Sequence, residues 1–167
     1  MGKRGFERIT KYQDKGINLP IRATHHAAGY DFEAAEDVVI PSIWKQFLAR
    51  RIGENQAVEK KIKPVLVPTG IKAYMAEDEF LQLANRSSNP LKRFLVLTNG
   101  VGVIDSDYYN NDANEGHIMF QFTNFGLRDM TIKKGERIGQ GIFLPFLKAD
   151  QDETSGERTG GFGSSNK

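Results

Sequence analysis

Two residues three apart, the acid Asp105 and the ring of Tyr108, follow the glycine-broken apolar run Thr98-Asn99-Gly100-Val101-Gly102-Val103-Ile104. A carboxylate that emerges where an apolar strand stops can take a proton from water in a confined site. Gly100 and Gly102 let the backbone turn or approach a ligand closely, while Val103 and Ile104 fix such a segment in a core. The pattern predicts that Asp105 and Tyr108 face a cleft rather than the core, although the same residues would also serve a plain β-hairpin. A second group, Asn85-Arg86-Ser87-Ser88-Asn89-Pro90, sets one guanidinium among hydroxyls and amides. It reads as a polar turn closed by Pro90, or as an anion site with Arg86 as fixed charge and Ser87 and Ser88 as donors. Gln140 lies inside the strand-like run 137–146, where an amide is either a satisfied core group or a ligand contact. Finally, Arg158-Thr159-Gly160-Gly161-Phe162-Gly163-Ser164-Ser165 places one cation and one ring in a glycine-rich polar tail. Such a tail is usually disordered, and a single Phe has a use there if the arm orders over a ligand.

The elements that must hold these groups are mostly strands. Period-two alternation predicts one over 27–34, with Tyr30, Phe32 and Ala34 on one face and Asp31 and Glu33 on the other. Further short strands are expected at 6–10, 38–40, 64–67, 71–74, 79–83, 94–97, 117–124, 130–132 and 137–146, with a tight turn at Lys133-Lys134-Gly135-Glu136. One segment breaks the pattern. Ile43, Trp44, Phe47, Leu48 and Ile52 form a helical stripe between Ser42 as N-cap and Gly53 as stop, and the stripe is expected to pack on its own protein. Many short strands and one credible helix give an all-β domain of barrel or jelly-roll kind, 1–150, followed by a flexible arm, 151–167.

Composition narrows the function classes. With 23 basic and 21 acidic residues the net charge is +2, too balanced for a protein that coats nucleic acid or a membrane surface. Cysteine is absent, which excludes disulfides and thiolate metal sites. The three histidines are too few and scattered for a zinc constellation and read as surface or core residues. The residues 1–10 have no apolar run resembling a secretory signal, so a cytoplasmic location is the expectation.

Five segments, in order, resemble the motifs of the trimeric dUTPase family: Ala28-Gly29-Tyr30-Asp31-Phe32-Glu33-Ala34, Arg86-Ser87-Ser88, Gly102-Val103-Ile104-Asp105-Ser106-Asp107-Tyr108, Arg137-Ile138-Gly139-Gln140 and the tail 158–165. The resemblance spans nearly the whole chain apart from about 43–61, which reads as a part-helical insertion. It implies hydrolysis of dUTP to dUMP and pyrophosphate with Mg2+ on the triphosphate. It also implies a jelly-roll-like (β-clip) fold assembled as a homotrimer, in which the C-terminal arm crosses to a neighbour's site.

Matching motif positions imply the roles. Asp105 readies the water and meets the sugar 3′-hydroxyl, and Gln140 holds the water or an α-phosphate oxygen. Asp31 serves the metal through bound water. Arg86, Ser87, Ser88, Arg158, Gly163, Ser164 and Ser165 meet the phosphates. Asn99, with the backbone of Gly102, Val103 and Ile104, reads uracil; Tyr108 underlies the deoxyribose and Phe162 stacks on the base. The sequence departs from the family in several places. Ser88 stands where many members have Gly, the spacing from Arg158 to Phe162 is one residue short, and the connection 109–114 is long. The insertion could pack on the trimer's outside, lengthen a subunit contact or recruit a protein partner. The nearest rival is a dCTP deaminase of the same fold, for which no extra carboxylate stands clearly placed.

Overall fold

The computed structural model describes residues 2–52, 63–154 and 156. Among them the chain forms eleven strands: β1 Gly5–Arg8, β2 Tyr30–Glu33, β3 Val38–Ile40, β4 Val65–Pro68, β5 Ile71–Tyr74, β6 Glu79–Asn85, β7 Leu95–Leu97, β8 Gly102–Asp105, β9 Met119–Asn124, β10 Met130–Ile132 and β11 Arg137–Pro145. They pair antiparallel in four sheets, ordered β1-β5, β10-β3, β2-β11-β6-β8 and β4-β9-β7. This is the expected mostly-β architecture.

Alternation decides which face goes inward. In β6, Leu81 and Leu83 are buried between the half-buried Phe80, Gln82 and Ala84; in β9, Phe120 and Phe122 are buried between half-buried neighbours. These side chains join Phe32, Ile40, Ile71, Leu95, Ile118, Ile132 and Ile138 in one core. Its aromatic spine runs from Phe6 edge-on to Phe32 at 5.4 Å, through Phe120 at 5.6 Å, to Phe122 stacked at 6.2 Å.

Two expectations about helices need correction. The cluster 85–90 is not only a turn: α2, Ser88–Arg93, begins within it and ends at Phe94 in the left-handed region. Pro90 sits in the first turn, where its missing N–H would have no helical partner anyway. The inserted helix α1, Ile43–Ile52, forms as expected, with Ser42 buried before it. Its apolar stripe, however, does not bury on its own protein: Trp44, Phe47 and Leu48 remain 49%, 46% and 57% exposed. Polar contacts tie the start of the helix to the segment 125–129. Lys45 pairs with Asp129 at 2.9 Å, Ser42 N donates to Asp129 Oδ1 at 3.0 Å, and Trp44 Nε1 donates to the Phe125 carbonyl at 2.9 Å. The expected stop at Gly53 and the rest of the insertion lie outside the described residues, as does the arm from 157 onward. Among the described residues no helix is long and apolar enough to cross a membrane.

Candidate active site

Directly opposed residues of antiparallel strands share a face. The registers of the four-stranded sheet therefore set three rows on its outer side: Asp31–Gln140–Ala84, then Ile142–Gln82–Val103, then Leu144–Phe80–Asp105. Asp31 and Glu33 indeed turn away from the aromatics, whose rings meet Phe6 and Phe143 on the inner side.

One end of this face gathers acid, amide and guanidinium groups. Arg137 Nη1 donates to Asp31 Oδ2 at 3.0 Å, and Arg86 Nη1 donates to the Arg137 carbonyl at 2.9 Å. Behind them, the buried Asn89 donates from Nδ2 to Asn85 Oδ1 at 2.8 Å and to the Ile138 carbonyl at 2.9 Å, tying α2 to β11. Ser87 is exposed and Ser88 half-buried at the start of α2. Gln140 is half-buried, and among the described residues its side-chain amide has no hydrogen-bond partner. A half-buried amide with an open hydrogen-bonding edge fits a ligand contact better than a satisfied core group. Glycine makes room for it: a Cβ on Gly29 would run into the Gln140 amide, its carbon at 3.0 Å. A groove of about 460 Å³ beside these groups is lined by Arg8, Asn18, Ile21, Asp31, Glu33 and Arg137.

The other end carries Asp105, where β8 passes into a 3₁₀ turn, Ser106–Tyr108. Asp105 is half-buried, on the outer face of the sheet. Tyr108 differs from expectation, being only 6% exposed. The long loop after it folds back so that Asn114 Nδ2 donates to the Tyr108 hydroxyl at 2.8 Å. The β-hairpin that the sequence also allowed does not form, since β7 pairs with β9 and β8 with β6 in different sheets. In the turn joining β7 to β8, Asn99 is exposed beside Gly100, whose φ of 72° suits glycine. Gly102 is buried, Val103 exposed and Ile104 half-buried.

The two ends do not meet within one chain. From the Gln140 row to the Asp105 row is four residues along β6 and two strands across, on the order of 16 Å at ordinary strand spacings. No side chain spans that gap. Arg158, Phe162, Gly163, Ser164 and Ser165 lie outside the described residues. Sequence reasoning missed Arg137 and Asn89. Arg137 stood in the fourth motif and at the start of a strand, but was given no role. Asn89 had no signal apart from a run of turn-forming residues, because its amide gains its role from Ile138, far away in sequence.

The dUTPase family profile matches residues 51–166. The deoxyuridine 5′-triphosphate nucleotidohydrolase of Lactococcus lactis subsp. lactis is 53% identical over 163 residues, covering 96% of each chain. A crystal structure of dUTPase from Streptococcus mutans superposes with a TM-score of 0.72 at 48% identity, covering 87% of this chain and 98% of that one. The fold is also that of a phage phi11 dUTPase mutant from S. aureus, described as coordinating a structural Mg(II) ion, with a TM-score of 0.65 at 15% identity over 93% of this chain and 98% of that one.

Proposed function

This chain belongs to the dUTPase family, and we propose that it is a cytoplasmic homotrimer that hydrolyses dUTP to dUMP and pyrophosphate with Mg2+. The observation that carries this reading is the division of one sheet face into two partial sites. One end holds Asp31, Gln140 and Arg86, suited to phosphates; the other holds Asp105 and Tyr108, suited to a nucleoside and a water. Two such ends, too far apart to cooperate in one chain, become complete sites when identical subunits close a ring and each joins its Asp105 end to a neighbour's Gln140 end.

In that assembly Asp105 takes a proton from a water as the water oxygen bonds the α-phosphorus. The bond from that phosphorus to the oxygen bridging to the β-phosphate breaks, and this oxygen leaves on pyrophosphate. Gln140 can donate to an α-phosphate oxygen and accept from the water at once, which its open amide allows. Arg86, Ser87 and Ser88 meet charge building on the phosphates, an electrostatic task. Asn99 and the β8 backbone at Gly102, Val103 and Ile104 match uracil's acceptor–donor–acceptor edge and leave cytosine's unpaired, a discrimination of roughly 10⁴. Arg158, Phe162, Gly163, Ser164 and Ser165 would close the site from a third subunit's arm.

The residues fit a metal carried mainly by the substrate. Among the described residues no group of three or more His, Cys, Asp or Glu side chains gathers to hold an ion. Asp31 offers one carboxylate beside the groove, and Mg2+ commonly uses one or two carboxylates plus substrate phosphates while keeping water. Once bound, the ion would neutralise phosphate charge. Pyrophosphate release measured with dUTP, dTTP, dCTP and UTP tests the function: selective release from dUTP is expected. Ammonia release from dCTP with no pyrophosphate from dUTP would overturn it in favour of a deaminase.

A further inference from the structure

Both capacities of the Tyr108 hydroxyl are in use. It donates its proton to the His117 carbonyl at 3.0 Å and accepts Asn114 Nδ2 at 2.8 Å. What this residue can offer a ligand is therefore the ring and not the hydroxyl.

The loop that follows is assembled around that ring. Asn111 Nδ2 donates to the Tyr108 carbonyl at 2.8 Å and to Asn114 Oδ1 at 2.9 Å, and Gly116 N donates to Asn114 Oδ1 at 3.1 Å. Two donors converge on Asn114 Oδ1, so the end of the amide facing Tyr108 must be the nitrogen. The loop closes through left-handed backbone at Asn110, Glu115 and Gly116, and a Cβ at 116 would stand 2.6 Å from the Tyr108 carbonyl oxygen. Beyond it, His117 Nε2 accepts the Gly70 N–H at 2.9 Å, pinning the loop's far end to the turn between β4 and β5. Asn114 stands outside all five motifs, in the connection that is long in this chain.

We propose that Asn114 is a positioning residue for sugar selection. It acts through Tyr108, holding the ring at a height that admits hydrogen but not hydroxyl at C2′ of the substrate sugar. The inference rests on the reading of Tyr108 as the floor beneath the deoxyribose. A wall that only excludes an added hydroxyl discriminates by roughly 10², so a shift of a few tenths of an ångström at that wall forfeits a large part of it.

The test compares kcat/KM for UTP and dUTP, with thermal melts alongside, in N114D, N114L, Y108F and Y108A. Asn114→Asp keeps an acceptor for Asn111 and Gly116 but cannot donate to the Tyr108 hydroxyl. The acceptor for Asn111 and Gly116 is kept, while the Tyr108 hydroxyl, now facing a carboxylate oxygen, must turn its proton from the His117 carbonyl to that carboxylate. On the proposal, N114D, N114L and Y108F each raise the UTP-to-dUTP ratio by about tenfold, with the dUTP kcat of the Asn114 variants within about threefold of the parent. If Y108A raises the ratio while N114D and Y108F leave it unchanged, Asn114 merely braces the loop and the proposal fails, with the Tyr108 reading intact. If none of the four, including Y108A, moves the ratio, the reading of Tyr108 itself is wrong.

Discussion

Asp105 and Asn have nearly the same shape, so Asp105→Asn separates the proton-accepting role from everything the side chain does by occupying space. A general base contributes typically 10²- to 10⁴-fold, and the variant should lose turnover on that scale while dUTP still binds. Equilibrium titration with a non-hydrolysable dUTP analogue, beside single-turnover rates, checks this. Near-parental turnover would remove Asp105 from the base role. His117 gives a second residue-scale outcome, on stability. Burial outweighs Glu36 and Glu115, which favour the charged ring, and together with Lys11 holds its pKa down from 6.5 to about 4. The folded protein thus keeps the ring neutral, its Nε2 accepting from Gly70, at pH values where the unfolded chain is already protonated. The stabilisation is complete above pH 6.5 and is lost as pH falls toward 4, amounting to about 2 kcal/mol by pH 4.5. Urea melts at pH 7 and 4.5 should show this slope. It should flatten in His117→Gln, which retains an acceptor and cannot titrate in that range.

Strand β11 shows how one substitution can have opposite readouts on neighbouring elements. A Cβ on Gly139 would press into the Phe120 ring, 2.6 Å from Cδ1, and that ring is locked between Phe32 and Phe122. Gly139→Ala should therefore cost stability, about 1–3 kcal/mol as overpacked cores usually do, visible as a lower Tm. At Gly29 the closest obstacle is the far end of the Gln140 side chain, which can rotate away, and Gln140 Cβ at 3.1 Å need give by only a few tenths of an ångström. Gly29→Ala should leave Tm nearly unchanged and lower kcat, because the displaced amide is the one proposed to hold the water. A large fall in Tm for Gly29→Ala would contradict that account. The strands show what was legible from residue types alone. Period-two alternation revealed β2 and β9 and the face on which Asp31 lies, because burial in a sheet follows directly from alternation. The start of α2 was hidden because Asn, Ser and Pro favour turns locally, while the buried Asn89 amide earns its place through Ile138, which is remote in sequence. Burial of Tyr108 was hidden for the same reason: it depends on Asn114 and His117, and no local pattern encodes hydrogen bonds between residues six and nine positions apart. The exposed stripe on α1 had the periodicity of a packed helix, but periodicity does not say whether a covering surface exists.

At the scale of the whole molecule, the separation between the Asp105 row and the Gln140 row has a consequence that a self-contained subunit would not show. If each site takes Asp105 from one subunit and Gln140 from its neighbour, two dead proteins can make live enzyme when mixed. Homotrimers of Asp105→Asn lack the base in every site, and homotrimers of Gln140→Ala lack the amide in every site. In a mixed ring, a site that draws Asp105 from a Gln140→Ala chain and Gln140 from an Asp105→Asn chain is intact. Random mixing in equal amounts makes roughly one site in four of this kind, given a cyclic assembly with the same contact between each pair. Co-refolding or co-expressing the two variants should thus restore about a quarter of parental kcat per site, while KM for dUTP at the restored sites stays parental. Sedimentation or light scattering should report a trimer throughout. Activity that stays at the level of the two variants alone, in confirmed mixed trimers, would mean that Asp105 and Gln140 serve a site within one chain. The outer face of the β2-β11-β6-β8 sheet would then have to bend far from its present registers to bring them together.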